Sequence, residues 1–245
     1  LHQRRITLIH AGITSKEDFM NGFKKTVLAA TVLLVLGFGA TAFAGMVTVT
    51  AQHNGGGVFT CADTEACDLS ALAGRVATTF NFGGVVVEVS ATGSGFPRIG
   101  TSAFPALSLT GDAVGTGTFV VTISQTDFTG PGFTPLSFAT MSSSNLDAGN
   151  SITYDYYVDP GNGLGALTNQ IATNTFNTAG ANSANNGGSV AIANPFSVTA
   201  VVTITNTVDQ TTNINADVSA VPEPGTMLLM GSGLLGLGLW RKFKK

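Results

Sequence analysis

Residues 198–205 read Val-Thr-Ala-Val-Val-Thr-Ile-Thr, and this stretch decides the fold class. Apolar side chains occupy the even positions, from Val198 to Ile204, whereas the odd positions carry three threonines and a valine. Successive side chains of an extended chain point to opposite faces. This alternation therefore predicts a strand with one buried face and one hydroxyl-rich face.

The same period of two recurs at 85–90, 118–123 and 152–158. In the last of these, Tyr154 and Tyr156 share the apolar side and Tyr157 lies on the other. Clusters of Gly, Pro and Asn separate the runs and are typical of turns. Because we find neither a helical period nor a repeat of fixed length, we predict an all-β body, an antiparallel β-sandwich.

We assign residues 45–220 to this body, which carries most of the chain's acidic side chains. Eleven Asp and Glu against two Arg give the body a net charge of −9, compared with −3 for the whole chain. Such a surface repels phosphate backbones, so nucleic acid is excluded as a partner. Charged residues make up only 10% of the chain and hydrophobic residues 44%, which excludes a highly charged disordered chain.

Residues 168–195 interrupt the pattern of the body. Asn residues punctuate a run of Ala, Thr, Ser and Gly with almost no large apolar side chain. The composition predicts a long Asn-rich surface loop.

The segment 20–44 has the three parts of a secretory signal peptide. Lys24 and Lys25 precede a charge-free stretch, and Ala42-Phe43-Ala44 supplies small residues around a cleavage site before Gly45. The most apolar part, residues 27–38, is shorter than the ~20 residues of a membrane span. We therefore expect transfer by the secretion translocon and cleavage by signal peptidase between Ala44 and Gly45.

Residues 1–19 lie upstream of this signal and contain no Met. Lys16-Glu17-Asp18 can be encoded as AAG-GAG-GAT, a bacterial ribosome-binding sequence, just before Met20. We interpret residues 1–19 as an untranslated leader that follows from a mis-assigned start.

Residues 221–245 combine a turn-forming tripeptide, an apolar run and a basic tail. Pro222-Glu223-Pro224 precedes the apolar residues 227–240, and Arg or Lys occupies four of the last five positions. A helix of that length is about 21 Å long and spans the ~30 Å core of a bilayer only marginally. We predict a short transmembrane helix with its basic end in the cytoplasm.

This carboxy-terminal segment resembles a PEP-CTERM sorting signal of exported proteins in Gram-negative bacteria. The resemblance implies processing by an exosortase, from a precursor tethered in the inner membrane. It also implies a final location at the cell surface or in an extracellular matrix, in association with exopolysaccharide or biofilm.

The candidate chemistry of the body is sparse. Cys61 and Cys67 are its only cysteines, and in an exported protein they most simply form a disulfide. A zinc site is the alternative, but His53 is the only histidine of the body and tetrahedral zinc needs four ligands. We predict the disulfide, with no metal and no cofactor.

No catalytic constellation is visible in the sequence. His53 stands in the stretch Gln52–Gly57, which has the composition of a flexible linker. Glu88 is the best candidate acid for glycoside hydrolysis, although it falls in the middle of a predicted strand. We therefore expect a protein that is not an enzyme.

Ends and body together predict an exported structural protein of the cell surface or extracellular matrix. A carbohydrate-binding module is the first alternative, because Tyr157 would offer an aromatic side chain on a sheet face. A glycoside-active enzyme is a second. An ice-binding protein is a third, suggested by the Thr-x-Thr pairs Thr48/Thr50 and Thr203/Thr205.

Overall fold

The computed structural model describes residues 45–94, 106–130, 134–221 and 231–234. The chain divides into two units, Leu1–Thr41 and Ala42–Lys245, and every described residue belongs to the second. The predicted leader 1–19 and the predicted signal peptide 20–44, with its helix, lie outside the described residues. The described ranges contain twelve strands: β1 Thr48–His53, β2 Val58–Ala62, β3 Arg75–Asn81, β4 Val86–Gly93, β5 Ala106–Val114, β6 Gly117–Phe128, β7 Leu136–Leu146, β8 Ser151–Asp159, β9 Asn169–Phe176, β10 Gly180–Val190, β11 Phe196–Asn206 and β12 Thr211–Val221.

The strands form two six-stranded antiparallel sheets. Sheet I has the order β2-β1-β6-β11-β8-β9, and sheet II has the order β10-β7-β12-β5-β4-β3. One face of each sheet packs on the other and encloses a single apolar core. The predicted antiparallel β-sandwich is confirmed.

The alternating runs of the sequence supply this core. The even positions of β11 from Val198 to Ile204 are buried, as are Tyr154 and Tyr156 of β8. The two tyrosine hydroxyls cross the core and donate to backbone carbonyls of β7, at Ser143 and Met141, each at 2.8 Å. Hydrogen bonds thus satisfy the polar ends of the largest core side chains and tie sheet I to sheet II.

The prediction of a surface loop over residues 168–195 was wrong, because most of this segment forms β9 and β10. β10 pairs with β7 along its whole length, from Gly180 opposite Leu146 to Val190 opposite Leu136. Its side chains are mostly exposed, so backbone hydrogen bonding rather than apolar burial holds this strand. The amino-acid composition of the segment does not reveal this backbone pairing between β10 and β7.

β12 lies in the middle of sheet II and ends at Val221, immediately before the Pro222-Glu223-Pro224 tripeptide. Of the predicted transmembrane helix, only residues 231–234 are described, and they are helical and exposed. Within the described part of the chain, no helix is long and apolar enough to cross a membrane.

Candidate functional site

The outer face of sheet I is an array of threonines, which we call the threonine face. Neighbouring hydroxyls form hydrogen bonds across strands, as between Thr153 and Thr175 at 3.1 Å. Asp155 and Tyr157 also point outward, and the Asp155 carboxylate accepts a hydrogen bond from the Gln170 side chain at 2.7 Å. Nine threonines contribute: Thr50, Thr60, Thr118, Thr122, Thr153, Thr173, Thr175, Thr203 and Thr205.

The segment 160–168, which we call the ledge, covers one end of the threonine face. The Gly165 N–H donates to the Ser124 hydroxyl at 2.9 Å, and the Ser197 hydroxyl donates to the Gly163 carbonyl at 2.7 Å. These contacts bury Ser124 and Ser197, although both belong to the outward side of their strands. Tyr157 lies on β8, two positions before this strand ends at Asp159 and the ledge begins.

Asp159 organises the ledge from its base. Its carboxylate accepts hydrogen bonds from the backbone N–H groups of Gly161 and Gly163, at 3.0 and 2.7 Å, and from the Thr168 hydroxyl at 2.9 Å. The Gly163 hydrogen bond is the main cause that lowers the pKa of Asp159. Burial opposes it, while the bonds from Gly161 and Thr168 act in the same direction. A short Pro-Gly-Asn-Gly turn is thereby held as a fixed structure.

The Thr-x-Thr pairs of the sequence do not remain equivalent in the fold. Thr203 and Thr205 belong to the threonine face, whereas Thr48 is buried beside Ser124. Antiparallel sheets also twist by roughly 20–25° from strand to strand. Six twisted strands do not present the planar lattice that a crystalline surface requires, so this geometry does not favour the ice-binding alternative.

The outer face of sheet II differs, because it is indented. A depression of about 520 Å³ lies over β3, β4, β5 and β12, and a second of about 390 Å³ lies over β12, β7 and β10. Asn213 lines both, and we call the two together the polar groove. The polar residues that line it are Thr78, Thr79, Glu88, Ser90, Thr110, Asp112, Ser143, Ser144, Asn145, Asn182, Ser183, Asn213 and Asn215.

Glu88 and Asp112 lie directly opposite one another on β4 and β5, at the centre of the first depression. The Asp112 carboxylate accepts a hydrogen bond from the Asn213 side chain. Glu88 is exposed and forms no hydrogen bond or ion pair with any other residue that the structure describes. The sequence singled out Glu88 but missed Asp112 and Asn213, since only strand register brings the three together.

Gly111 shapes the floor of the groove. A Cβ atom at this position would lie 2.1 Å from the Glu88 carbonyl oxygen and 3.0 Å from the Val89 Cα. Only glycine fits so close an approach of two backbones. Gly111 and the short side chains of Ser90 and Thr110 beside it all line the first depression.

Cys61 and Cys67 form the predicted disulfide, with their Cα atoms 5.8 Å apart. The acidic residues around it bind the backbone of their own loop. Asp63 accepts a hydrogen bond from the Gly74 N–H at 2.7 Å, and Glu65 accepts one from the Ala62 N–H at 2.9 Å. The Glu65 carboxylate lies within 4.8 Å of both sulfurs. The sulfurs are bonded to each other, however, so the zinc alternative lacks its thiolate ligands.

The interpretation of Gln52–Gly57 as a flexible linker was wrong. His53 is the last residue of β1, and its ring packs against Phe119 and Phe82, with ring centres 4.9 and 5.6 Å apart. Its Nε2 lies 3.0 Å from the Thr116 carbonyl oxygen. The glycines that follow form the turn between β1 and β2 rather than a linker.

Comparison with known proteins gives little for the body. No curated protein matches the chain. A solved structure, TmCBM61 in complex with beta-1,4-galactotriose, is similar over 64% of this chain and 92% of that one, with 9% sequence identity and a TM-score of 0.30. A TM-score this low carries no argument about the function of this chain.

The carboxy-terminal segment gives a clear match instead. Residues 220–242 fit the family model of the PEP-CTERM protein-sorting motif, which includes the Pro222-Glu223-Pro224 tripeptide. No other family is assigned to the body. The chain thus carries a PEP-CTERM protein-sorting motif, which begins on the last two residues of β12.

Proposed function

We propose that this chain is the precursor of an exported protein that an exosortase processes and that the cell retains at its surface or in an extracellular matrix. The observation that carries the proposal is the match of residues 220–242 to the PEP-CTERM motif, which begins on the last two residues of β12. A cut after Val221 would leave every described strand intact. The mature body then acts as a non-enzymatic structural component in an exopolysaccharide or biofilm matrix.

The proposed precursor has a signal peptide at 20–44 and a sorting signal at 221–245. The translocon and signal peptidase act at the first, and the second tethers the precursor in the inner membrane of a Gram-negative bacterium through a short helix. Contacts of Gly45 support a mature chain that begins there. Its N–H donates to the Thr126 carbonyl at 2.8 Å, and its own carbonyl accepts from the Gln125 side chain at 2.6 Å.

The carboxy-terminal step is tested by Glu223→Ala in cells that express the exosortase. Export should continue, because the signal peptide is separate, but uncut precursor should accumulate in the inner membrane. Fractionated cells are blotted with an antiserum against the body, so that no tag needs to be inserted into the strands. Asp209→Ala, an exposed acid between β11 and β12, is the matched control and should be processed normally. Equal release of Glu223→Ala and the unaltered protein would contradict exosortase sorting.

The amino-terminal step is tested by sequencing the exported protein. The expected first residue is Gly45. Exported material that begins at Leu1 or Met20 would contradict both the cleavage site and the proposed division of the precursor.

A non-enzymatic role is tested on exopolysaccharide from the producing cells. Incubation with the purified exported protein should release no new reducing ends. Release that disappears in Glu88→Gln would instead establish the glycosidase alternative, with Glu88 and Asp112 as its carboxylate pair.

A further inference from the structure

The polar groove on sheet II has the shape of a site for an extended polymer. Its two depressions adjoin at Asn213 and together receive side chains or backbone from all six strands of the sheet. Six strands about 4.8 Å apart extend over roughly 24 Å. A groove this long and open does not enclose a small molecule, but it accommodates several consecutive units of a chain laid across the strands.

The lining of the groove presents two adjacent carboxylates on β4 and β5, followed by two amide side chains on β12. Carboxylates at Glu88 and Asp112 only accept, while the amides of Asn213 and Asn215 both donate and accept. Two of these groups are held by neighbours, since Asn213 donates to Asp112 and Asn215 donates to the Ser143 hydroxyl at 3.0 Å. Held side chains lose less conformational freedom when a ligand binds.

We propose that the polar groove binds one strand of a non-anionic polysaccharide. Sugar hydroxyls donate to carboxylates and exchange hydrogen bonds with amides, which matches the lining. Leu69, 75% exposed at the β3 end, supplies an apolar contact for the C–H face of a sugar ring. The body charge of −9 repels polyuronates and sulfated or phosphorylated polymers.

Unpartnered Glu88 sets the charge preference of the site. It lies opposite Asp112, and like charges directly opposite on neighbouring strands repel. Arg75, the only Arg or Lys among the described residues, donates its Nε–H to the Ser90 hydroxyl at 3.0 Å. The groove therefore accepts neutral sugars, and it accepts amino sugars more strongly because an ammonium group relieves the repulsion.

This inference rests on the proposed function, since an exported matrix protein is one that meets polysaccharide. The probe is exopolysaccharide of the producing cells, separated by ion exchange into neutral, amine-bearing and acidic fractions. The purified exported protein should sediment with the neutral or amine-bearing fraction and not with the acidic one. Added salt should weaken binding to the amine-bearing fraction only. Binding to the acidic fraction, or to none of the three, would overturn the proposal.

Paired variants locate the site on one of the two sheets. Asn213→Ala should reduce affinity about tenfold, because the variant loses its hydrogen bonds to the sugar and releases the Asp112 side chain. Glu88→Gln should weaken binding of the amine-bearing fraction more than that of the neutral one. Tyr157→Ala, on the opposite sheet, is the control and should bind normally. Thermal unfolding should be nearly unchanged in the three variants, because each replaces a side chain at the surface.

The opposite result would assign binding to sheet I. If Tyr157→Ala abolishes binding while Asn213→Ala and Glu88→Gln bind normally, the threonine face is the site and the groove is not. Neither result depends on how the precursor is sorted. Failure here is therefore distinct from failure of the Glu223→Ala experiment.

Discussion

The outer faces of the two sheets have the same strand geometry but differ in side chains and in shape. The threonine face of sheet I carries mainly β-branched side chains, and two pairs of its hydroxyls, Thr153 with Thr175 and Thr118 with Thr205, are hydrogen-bonded to each other. The outer face of sheet II carries Ser, Asn and acidic residues and is indented over β4 and β5. Thr and Val fill a pleated surface evenly, whereas Gly and Ser leave space.

This difference shows which groups remain available to a ligand. On sheet I, Asp155 is engaged by Gln170, and the ledge covers Ser124 and Ser197. On sheet II, Glu88 remains free of partners within the described structure. On sheet I these polar groups are thus engaged within the protein, whereas sheet II keeps an unused carboxylate in a depression, which favours ligand binding there.

The largest expected effect is that of Gly111→Ala, at a position of β5 that lies beneath the first depression and pairs with the buried residues Val89 and Ile214. The added Cβ would lie 2.1 Å from the Glu88 carbonyl oxygen, so β4 and β5 must separate. We expect a loss of about 3 kcal/mol in the free energy of unfolding, at the upper end for overpacking. Urea unfolding measures this loss.

Gly57→Ala is the matched control, since no atom lies within 4 Å of its Cβ position. Its stability should change by no more than about 0.5 kcal/mol. Equal stability of the two variants would show that the close approach at Gly111 does not shape sheet II.

The second effect concerns the loop that joins the two sheets. The Cys61–Cys67 disulfide connects the end of β2 to a loop in which the Leu69 N–H donates to the Ala77 carbonyl of β3 at 2.7 Å. Replacing both cysteines by Ser should cost about 2 kcal/mol through the entropy of the unfolded chain. The measurement is urea unfolding with and without reductant. Sensitivity to reductant that persists in the double variant would contradict this assignment.

The third effect concerns the ledge on sheet I. Asp159→Asn loses the carboxylate that accepts from Gly161, Gly163 and Thr168, and we expect a loss of about 1–2 kcal/mol at neutral pH. Because folding lowers the pKa of Asp159, its contribution is present above the unfolded pKa of about 3.9 and is lost as the pH falls through the lower folded value.

The stability difference between unaltered protein and Asp159→Asn should therefore shrink as the pH falls below about 4. Thermal unfolding between neutral and acidic pH follows this difference. Asp209→Asn, at an exposed position between β11 and β12, is the control and should leave the stability at neutral pH almost unchanged. A constant difference for Asp159→Asn across the range would mean that the charge of the carboxylate does not hold the ledge.

The sequence alone was sufficient to predict the sandwich and the inward residues, because period-two alternation reports burial directly. It was insufficient for β10, whose Asn and Gly residues carry no apolar signal although β7 pairs with them. It also could not assemble the polar groove. Glu88, Asp112 and Asn213 are far apart in the chain and become neighbours only through the order β4-β5-β12. Register, unlike burial, is a property of pairs of strands.

The last prediction distinguishes the faces through the three tyrosines of the chain, which differ in environment. Burial raises the pKa of Tyr154 to about 12, although hydrogen bonds from the Asn215 backbone and the Ser144 side chain lower it in part. Burial also raises the pKa of Tyr156, against the hydrogen bond with Ser142. Tyr157, on the outer face, has a pKa raised by partial burial and then by the Asp155 carboxylate.

Folding raises the pKa of these phenols above the unfolded value of about 10. Their contribution to stability is therefore fully present below about pH 10 and is lost as the pH rises through the folded pKa values. The phenolate absorbance of the folded protein should therefore rise in two steps. The first is reversible, belongs to Tyr157 and disappears in Tyr157→Phe. The second belongs to Tyr154 and Tyr156 and coincides with loss of the near-ultraviolet circular dichroism, because these hydroxyls ionise only when the sheets separate. One step that includes all three tyrosines would show that β8 does not direct Tyr157 outward and its neighbours into the core.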